Sequence, residues 1–217
     1  MAGPAFFLSP QLINKRMQIL GLTGGIATGK STAVQIMQGL EPGMVLFDCD
    51  EEVKRLLANE EIVDEIARSF GPSVLSGDGG LDRVQIRELV FASPEKRRIL
   101  EGILHPKVRK ECLEKCRESS KNPSTTLFVA DVPLLFESGF DFGQELNLVV
   151  AVSKATQRKR LKARSHLEDR MISSILMAQL PIMEKVARGD VVFWNEGSLS
   201  VLERQLSRFL ENRENFR

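Results

Sequence analysis

The sequence GGIATGKST at residues 24–32 constrains this chain more than any other stretch. It follows a short apolar run, Met17 to Leu22, that is long enough for one buried strand, and it precedes a helical pattern of apolar residues that starts at Ala33. The spacing from Gly24 to Ser31 matches the GxxxxGK[ST] phosphate-binding loop, and a strand before it and a helix after it are the context that this motif requires. The sequence therefore predicts a nucleoside triphosphate site.

Each residue type in this loop suits the binding of phosphate groups. Glycines let backbone amides approach and wrap a polyphosphate, and the N-terminus of the following helix adds a partial positive charge. Lys30 can reach the β and γ phosphates, and the hydroxyl of Ser31 can be a ligand of Mg²⁺. The predicted phosphate-binding residues are Gly24, Gly25, Ala27, Thr28, Gly29, Lys30, Ser31 and Thr32.

Two aspartates follow the second predicted strand, Met44 to Phe47. Ligands of open α/β sheets bind at the carboxyl ends of the strands, which is where Asp48 and Asp50 lie. A carboxylate there can accept the proton of an attacking hydroxyl or hold a metal-bound water. The alternative is that Asp50 caps the helix predicted from Glu51 to Ala58. Their position beside the phosphate loop favours function, and Asp50 is the better candidate.

Five apolar runs indicate five buried strands, and helical patterns separate them. This alternation predicts an α/β fold with a parallel sheet covered by helices on both faces. A chain of 217 residues accommodates one such core with inserted segments, but not a second full domain. The predicted strands are residues 17–22, 44–47, 127–132, 146–152 and 190–194.

A helical insertion with one short strand signal, Ser73 to Leu75, is predicted between the second and third strands. Arg83 and Arg87 are four residues apart, so they share a helix face that is either solvated or captures an anion of a phosphorylated substrate. His105 stands in a Leu-His-Pro sequence at a predicted helix start. Insertions of this kind commonly build a substrate pocket.

A basic helix is predicted after the fourth strand. Gln157, Arg160 and Arg164 are spaced i, i+3 and i+7, so they share a face. They form either a solvent-exposed basic face or part of a lid whose arginines clamp the transferring phosphates.

Composition points to a small-molecule partner in a reducing compartment. The formal net charge is +1 and the pI is about 7.7, so no electrostatic footprint for nucleic acid or an anionic membrane is present. Cys49, Cys112 and Cys116 are an odd number of cysteines outside any metal-binding pattern, which fits a cytoplasmic protein. No apolar run approaches the ~20 residues that span a bilayer.

In this order, the motifs resemble the dephospho-CoA kinase family from Met17 to about Leu210. The phosphate loop alone indicates only an NTPase, but the combination is far more specific. The marks are LTGGIATGKST, DCD, LDR…IRELVF followed by LHP, DVPLLFE, the Gln157/Arg160/Arg164 helix, AQLP and GDVVFWNEGS.

The resemblance implies a three-layer P-loop NTPase fold with a five-stranded parallel sheet, a helical insertion that receives the CoA moiety, and a helical lid. It implies ATP-dependent phosphorylation of the ribose 3′-hydroxyl of dephospho-CoA with Mg²⁺, the last step of coenzyme A synthesis, by a protein most simply expected to be a monomer. The implied segments are an N-terminal extension (1–16), core with the phosphate loop (17–55), the insertion (56–120), core (121–155), the lid (156–185) and core (186–217).

The resemblance also assigns roles to individual residues. Asp50 takes the place of the general base, Arg160 and Arg164 those of the lid arginines, and Asn195 lies near the adenine. The substrate side is implied to include Asp48, Arg83, Arg87 and His105.

The sequence departs from the family pattern at three places. Ala27-Thr28 stands where the loop often reads Gly-Ser, with both backbone amides retained. Ser174 occupies a lid position where many relatives carry arginine, and Trp194 ends the last strand where a smaller residue is usual.

Rival functions remain open from the sequence alone. A nucleoside or nucleoside-monophosphate kinase would share the loop, lid arginines and fold. A GTP-dependent switch is disfavoured because Ser153-Lys154-Ala155-Thr156 stands where the guanine-specifying NKxD pattern is expected. A catalytically inactive nucleotide-binding module is disfavoured by the intact Lys30, Ser31 and Asp50.

Overall fold

The computed structural model describes residues 16–165 and 168–216. The predicted N-terminal extension at residues 1–16 therefore lies outside the described residues, except for Arg16. Alternating apolar stretches form five strands, and helices connect them. The strands are β1 (Gln18–Gly24), β2 (Met44–Asp48), β3 (Leu127–Asp131), β4 (Leu146–Ala151) and β5 (Val191–Trp194).

The five strands form one parallel sheet in the order β2-β3-β1-β4-β5. This arrangement confirms the predicted α/β fold with a five-stranded parallel sheet. In the register of the sheet, Asp131 pairs with Leu22 of β1 on one side and with Asp48 of β2 on the other. The carboxyl ends of β1, β2 and β3 therefore meet at one edge, and the phosphate loop leaves the sheet there.

Ten helices flank or extend the sheet in the part of the chain that the structure describes. Short 3-10 turns at Pro72–Val74 and Arg213–Phe216 complete the described elements. The helices are α1 (Lys30–Leu40), α2 (Cys49–Leu56), α3 (Glu60–Phe70), α4 (Arg83–Ala92), α5 (Pro94–Ser119), α6 (Leu135–Ser138), α7 (Lys154–Ser165), α8 (Asp169–Met177), α9 (Ile182–Arg188) and α10 (Leu199–Asn212).

Two apolar clusters pack on the sheet. One joins α1 and α10 to the core through residues such as Met37 and Leu206, both fully buried. The other joins α2 to α5 to the sheet through Ile66, Cys112 and Phe128. The helices between β2 and β3 therefore share the core of the sheet. Each large apolar side chain that is fully buried there contributes roughly 1.5–3 kcal/mol to stability.

Local predictions differ from the structure at two places in the insertion. The strand signal at Ser73 to Leu75 is wrong, since a 3-10 turn ends at Val74 and Leu75 makes only an isolated bridge to Leu81. The helix start at His105 is also wrong, because α5 continues through it.

Pro106 lies inside the 26-residue helix α5. A proline ring clashes with the carbonyl group four residues earlier and removes one hydrogen bond, which is why a helix boundary is the usual interpretation. Here α5 is anchored on both sides of Pro106 by buried Leu104 and Val108. Tertiary packing therefore outweighs the local preference.

All three cysteines are free and buried. Burial raises the pKa of each thiol, which keeps the thiols in the neutral form. Within the described residues, no helix is both long and apolar enough to cross a membrane.

Candidate active site

The phosphate loop connects the last residue of β1, Gly24, to the first residue of α1, Lys30. Gly29 caps the helix in the left-handed region, with φ of 93°, and no side chain bonds the free amides of the first turn. A helix N-terminus without a side-chain cap presents its amides and its partial positive charge to an anion. The loop geometry therefore suits a bound polyphosphate.

Close approach explains why glycine stands at both ends of the loop. A Cβ atom on Gly29 would lie 2.3 Å from Nδ2 of Asn195, and one on Gly24 would lie 2.7 Å from the carbonyl oxygen of Val150. Neither neighbour has room to move, since Val150 is in the central sheet and Asn195 is buried. Larger residues at these positions would displace the loop.

Two glutamines hold the middle of the loop. Nε2 of Gln157 donates to the carbonyl of Ile26 at 2.8 Å, and Oε1 of Gln179 accepts from the amide of Ile26 at 2.9 Å. Gln157 belongs to α7 and is buried, while Gln179 lies between α8 and α9. Gln157, on the predicted face of α7, thus contacts the phosphate loop rather than facing solvent.

Arg160 and Asn195 hold the second half of the loop. Nδ2 of Asn195 donates to the carbonyl of Thr28 at 2.9 Å. The guanidinium group of Arg160 donates to the carbonyls of Ala27 and Thr28 at 3.3 Å and to the carbonyl of Asn195 at 2.9 Å. Its positive charge consequently lies directly against the loop, where it adds to the attraction for phosphate.

Arg164 lies one helical turn beyond Arg160 on α7 and is exposed. It lines the same cavity as the loop, and no hydrogen bond or ion pair of Arg164 is found among the described residues. The two arginines therefore differ: Arg160 is bonded to backbone carbonyls, whereas Arg164 has no such partner among the described residues.

Lys30 forms an ion pair with Asp131, the last residue of β3. Burial raises the pKa of the Asp131 carboxyl, and the charge and hydrogen bond of Lys30 oppose that effect. The contact places the ammonium group at the junction of the loop with the carboxyl ends of β1 and β3. A phosphate in the loop would compete with Asp131 for this ammonium group.

The two aspartates after β2 have different environments. Oδ1 of Asp48 accepts from the amides of Asp50 and Glu51 at 2.9 and 3.1 Å, so Asp48 is the N-cap of α2. The alternative in which Asp50 caps this helix is wrong. Asp50 is exposed, lines the loop cavity, and its carboxylate has no hydrogen bond to a described residue.

The electrostatic environment raises the pKa of the Asp50 carboxyl. Partial desolvation is the largest cause; the charge of Lys30 acts against it and that of Asp48 acts with it. A carboxylate with a raised pKa is a stronger base than an ordinary aspartate. Asp50 is therefore suited to accept a proton at the mouth of the loop.

These groups surround one open cavity of about 640 Å³. The residues of the loop form its floor, and Asp50, Pro133, Arg160, Arg164 and Asn195 line its walls. A volume of this size suits a nucleotide or drug-sized ligand. Ser31 and Thr32 also line it, so all eight predicted loop residues lie at this site.

Comparison with known proteins shows the family to which the chain belongs. The family model for dephospho-CoA kinase matches residues 18–200. A curated dephospho-CoA kinase from Symbiobacterium thermophilum is 41% identical over 88% of this chain and 79% of its own length, and one from Enterococcus faecalis is 36% identical over 89% and 96%. The chain belongs to the dephospho-CoA kinase family.

Solved structures agree with this assignment. A Thermus thermophilus protein matches with a TM-score of 0.76 at 35% identity, covering 91% of this chain and 98% of that one. A dephospho-CoA kinase from Campylobacter jejuni matches with a TM-score of 0.61 at 25% identity, covering 91% and 97%. A shikimate kinase at 15% identity and a TM-score of 0.51 shares only the fold.

The other predicted substrate residues lie away from the loop cavity. Arg83 and Arg87 are exposed on α4 and do not line the cavity. His105 lies on α5 in a separate groove of about 490 Å³ that it shares with Arg109 and Lys110. The structure thus places the predicted phosphate residues together and His105 in a second, basic groove.

Two departures from the dephospho-CoA kinase pattern have visible consequences. The hydroxyl of Ser174 donates to the carbonyl of Arg170 at 3.2 Å, within its own helix, so it reaches no loop residue. Trp194 is 38% exposed and lines a neighbouring pocket of about 670 Å³ beside Lys154 and Met177. The bulk of Trp194 therefore faces that pocket and not the loop cavity.

Sequence reasoning did not assign Gln157, Gln179 or Asp131 to the site. Gln157 shares the face of Arg160, and Gln179 belongs to the AQLP motif, so both carried a signal. Asp131 ends an apolar strand, a position that resembles the aspartate on the metal side of the site in phosphate-loop enzymes. Their partners are backbone groups or a residue distant in sequence, and local patterns do not reveal such contacts.

Ala27 adopts a positive φ of 61°, the one such non-glycine residue in the described chain. This conformation costs an L-residue with a Cβ roughly 1–2 kcal/mol, a strain that glycine would relieve. We expect Ala27→Gly to raise the free energy of unfolding by about 1 kcal/mol in urea denaturation, because relief of strain exceeds the added entropy of the unfolded chain. Ala163→Gly, at an exposed position in the last turn of α7, should instead lower it, by at most about 1 kcal/mol.

Two variants of Asp48 distinguish its N-cap of α2 from a role of its charge in the reaction. We expect Asp48→Ala to lower the free energy of unfolding by about 1 kcal/mol, whereas Asp48→Asn retains the cap and the stability. Urea denaturation of the two variants measures this difference. Equal stability of the two variants would show that the cap contributes nothing. A fall in turnover common to both would identify a role for the charge of Asp48 in the reaction.

Proposed function

We propose that this chain transfers the γ-phosphoryl group of ATP in line to the ribose 3′-hydroxyl of dephospho-CoA, with Asp50 as the general base. The observation that supports this proposal most is the single cavity in which the phosphate loop, Lys30, Asp50 and the lid arginines meet. Family membership supports ATP as donor and dephospho-CoA as acceptor. Each of these groups has a defined task in phosphoryl transfer.

The loop binds the phosphates of ATP. Free amides at the start of α1 and the ammonium group of Lys30 neutralise the β and γ phosphates, and the loop keeps its shape through the bonds to Gln157, Gln179 and Asn195. Phosphoryl transfer depends on positioning and on charge stabilisation more than on covalent chemistry. A preformed loop supplies both.

The oxygen donors beside Lys30 fit Mg²⁺. Ser31 and Asp50 line the cavity, and the carboxylate of Asp131 pairs with Lys30, which also lines it. Mg²⁺ prefers oxygen ligands and is usually held by one or two carboxylates together with substrate phosphates and water. We assign Ser31 as the protein ligand; the ion would neutralise charge on the phosphates.

Asp50 accepts the proton of the attacking hydroxyl. Its carboxylate is unpaired among the described residues and lines the same cavity as the loop. Its raised pKa makes it a stronger base than an ordinary aspartate. Arg164, which is also unpaired among the described residues, offsets negative charge when the lid, residues 156–185, closes, and Arg160 adds its charge from the loop side.

The acceptor-binding part is the helical insertion at residues 56–120. Arg83 and Arg87 on α4, and the groove of His105, Arg109 and Lys110 on α5, present cationic groups to the anionic diphosphate of dephospho-CoA. Asp48 is also on this side, after β2. We expect the enzyme to act in the cytoplasm as a monomer.

An acceptor panel tests the reaction. We expect Mg²⁺-dependent release of ADP from ATP with dephospho-CoA, with CoA as the second product, and only background release with AMP, adenosine or no acceptor. Lys30→Ala serves as the blank because it removes the ammonium group that contacts the phosphates. Equal or faster release with AMP or adenosine would replace the proposed acceptor, and no release with any acceptor would indicate an inactive nucleotide-binding protein.

A second experiment tests Asp50. We expect Asp50→Asn to lower kcat by roughly 10²-fold or more, since the amide cannot accept the proton. The wild-type rate should fall as the pH falls through the raised pKa of Asp50, above the usual aspartate value of about 3.9, and the variant should lack this limb. Glu51→Gln, one residue further along α2 and exposed, is the matched control and should retain kcat. Near-normal turnover in Asp50→Asn would remove Asp50 from the mechanism.

A further inference from the structure

Lys185 is a fully buried lysine that the proposed mechanism does not use. It lies on α9, and its ammonium group contacts three oxygen atoms. It donates to the carbonyl of Pro133 at 2.9 Å and to that of Gly24 at 3.3 Å, and it pairs with Oε1 of Glu137 at 2.8 Å. All three donors of the ammonium group therefore have an acceptor.

The three acceptors belong to segments that carry the active site. Gly24 is the first residue of the phosphate loop. Pro133 follows β3 two residues after Asp131, the partner of Lys30, and its carbonyl also accepts from the hydroxyl of Thr23 at 3.1 Å. Glu137 lies on α6. Lys185 thus joins the start of the loop to the turn that follows the Asp131 strand.

Glu137 extends this connection to the segment between α8 and α9. Its Oε1 atom also accepts from the amide of Leu180 at 3.0 Å. Leu180 follows Gln179, which bonds the amide of Ile26 in the middle of the loop. The segment between α8 and α9 is therefore tied to the loop at two points, to Ile26 through Gln179 and to Gly24 through Glu137 and Lys185.

Stability alone gives no reason for a charged pair here. Removing two charges from water is costly, and replacement of a buried ion pair by apolar residues of similar volume is often neutral or stabilising. The pair does supply directed bonds to two backbone carbonyls and, through Glu137, to one backbone amide. Directed bonds of this kind fix the relative positions of backbone segments, which an apolar pair does not do.

We infer that Lys185 is a positioning residue for phosphoryl transfer: with Glu137 it fixes the phosphate loop relative to the Asp131 strand and to the segment between α8 and α9. A misplacement of about 1 Å at a reacting centre can cost roughly 10²-fold in rate. Loss of the Lys185 bonds would shift the loop, and with it the phosphates of ATP. The groove around His105 has no part in these bonds.

The test is the double variant Lys185→Met/Glu137→Gln, which removes both charges and leaves neither one unpaired in the interior. The inference rests on the proposed reaction, so kinetics with ATP and dephospho-CoA are measured together with ADP binding by calorimetry. We expect kcat to fall about 100-fold and the Kd of ADP to rise about tenfold, with KM for dephospho-CoA within about threefold of wild type. A purely structural role would lower kcat in proportion to the folded fraction and change neither ADP affinity nor KM.

A matched control lies on the same helix. Arg188→Met/Glu184→Gln removes the exposed ion pair of α9, whose nitrogen and oxygen atoms lie 3.9 Å apart, and should leave kcat and ADP affinity unchanged. Circular dichroism establishes that both double variants are folded. If Lys185→Met/Glu137→Gln does not fold, Glu137→Gln alone, which keeps the shape of the side chain, takes its place, with an expected tenfold fall in kcat and weaker ADP binding.

Wild-type kcat and ADP affinity in the folded double variant would overturn the inference. So would a fall in kcat that the control pair reproduces. A wild-type protein that binds ADP but does not phosphorylate dephospho-CoA would contradict the proposed reaction instead, and the ADP affinities would still test the role of Lys185.

Discussion

The hydrogen-bonding needs of the phosphate loop determine how the rest of the site is built. The loop must direct its amides toward a ligand, so it cannot pair its own carbonyls as a helix or strand does, and unpaired backbone groups in a partly buried site are costly. Side chains from other elements therefore bond the loop. Gln157, Arg160, Gln179, Asn195 and Lys185 do so in this protein.

This arrangement makes distant parts of the chain into one functional unit. The side chains that bond the loop come from α7, from the segment before α9, from α9 itself and from the residue after β5, whereas the loop lies near the beginning of the described chain. Strand order brings these elements together, since β4 and β5 lie beside β1 in the sheet. Gln157 of α7 and Gln179, between α8 and α9, therefore both connect these helices directly to Ile26 of the loop.

Residues of the same type that lie close together in the sequence have different environments in the structure. Asp48 and Asp50 are two residues apart, yet one caps α2 and the other faces the cavity without a partner among the described residues. Arg160 and Arg164 are one turn apart, yet only Arg160 bonds the loop. A residue whose polar atoms already have partners holds the structure, and a residue whose polar atoms do not is available for chemistry.

The sequence predicts the features that depend on local patterns. The loop motif, the five strands and the shared face of Gln157 and Arg160 follow from spacing and apolar periodicity. Features that depend on distant partners are not predicted. Lys185 has the pattern of an ordinary surface lysine on a short helix, and its partners are the backbone of Gly24 and Pro133 and a glutamate far away in sequence.

Local signals also mislead where packing outweighs them. Pro106 suggests a helix boundary, but buried residues on both sides keep α5 continuous. The sequence at Ala27 also does not predict the positive φ that this residue adopts in the loop. In both cases the tertiary structure sets a backbone conformation against the local preference.

Amide hydrogen exchange of the loop in the absence of nucleotide tests most directly whether side chains preform it. The account predicts that the amide of Ile26, bonded to Gln179, exchanges slowly before any nucleotide is added, and that Gln179→Ala makes it exchange fast. Fast exchange of Ile26 in the wild-type protein, with protection only after nucleotide binds, would show that the ligand orders the loop and would contradict the account.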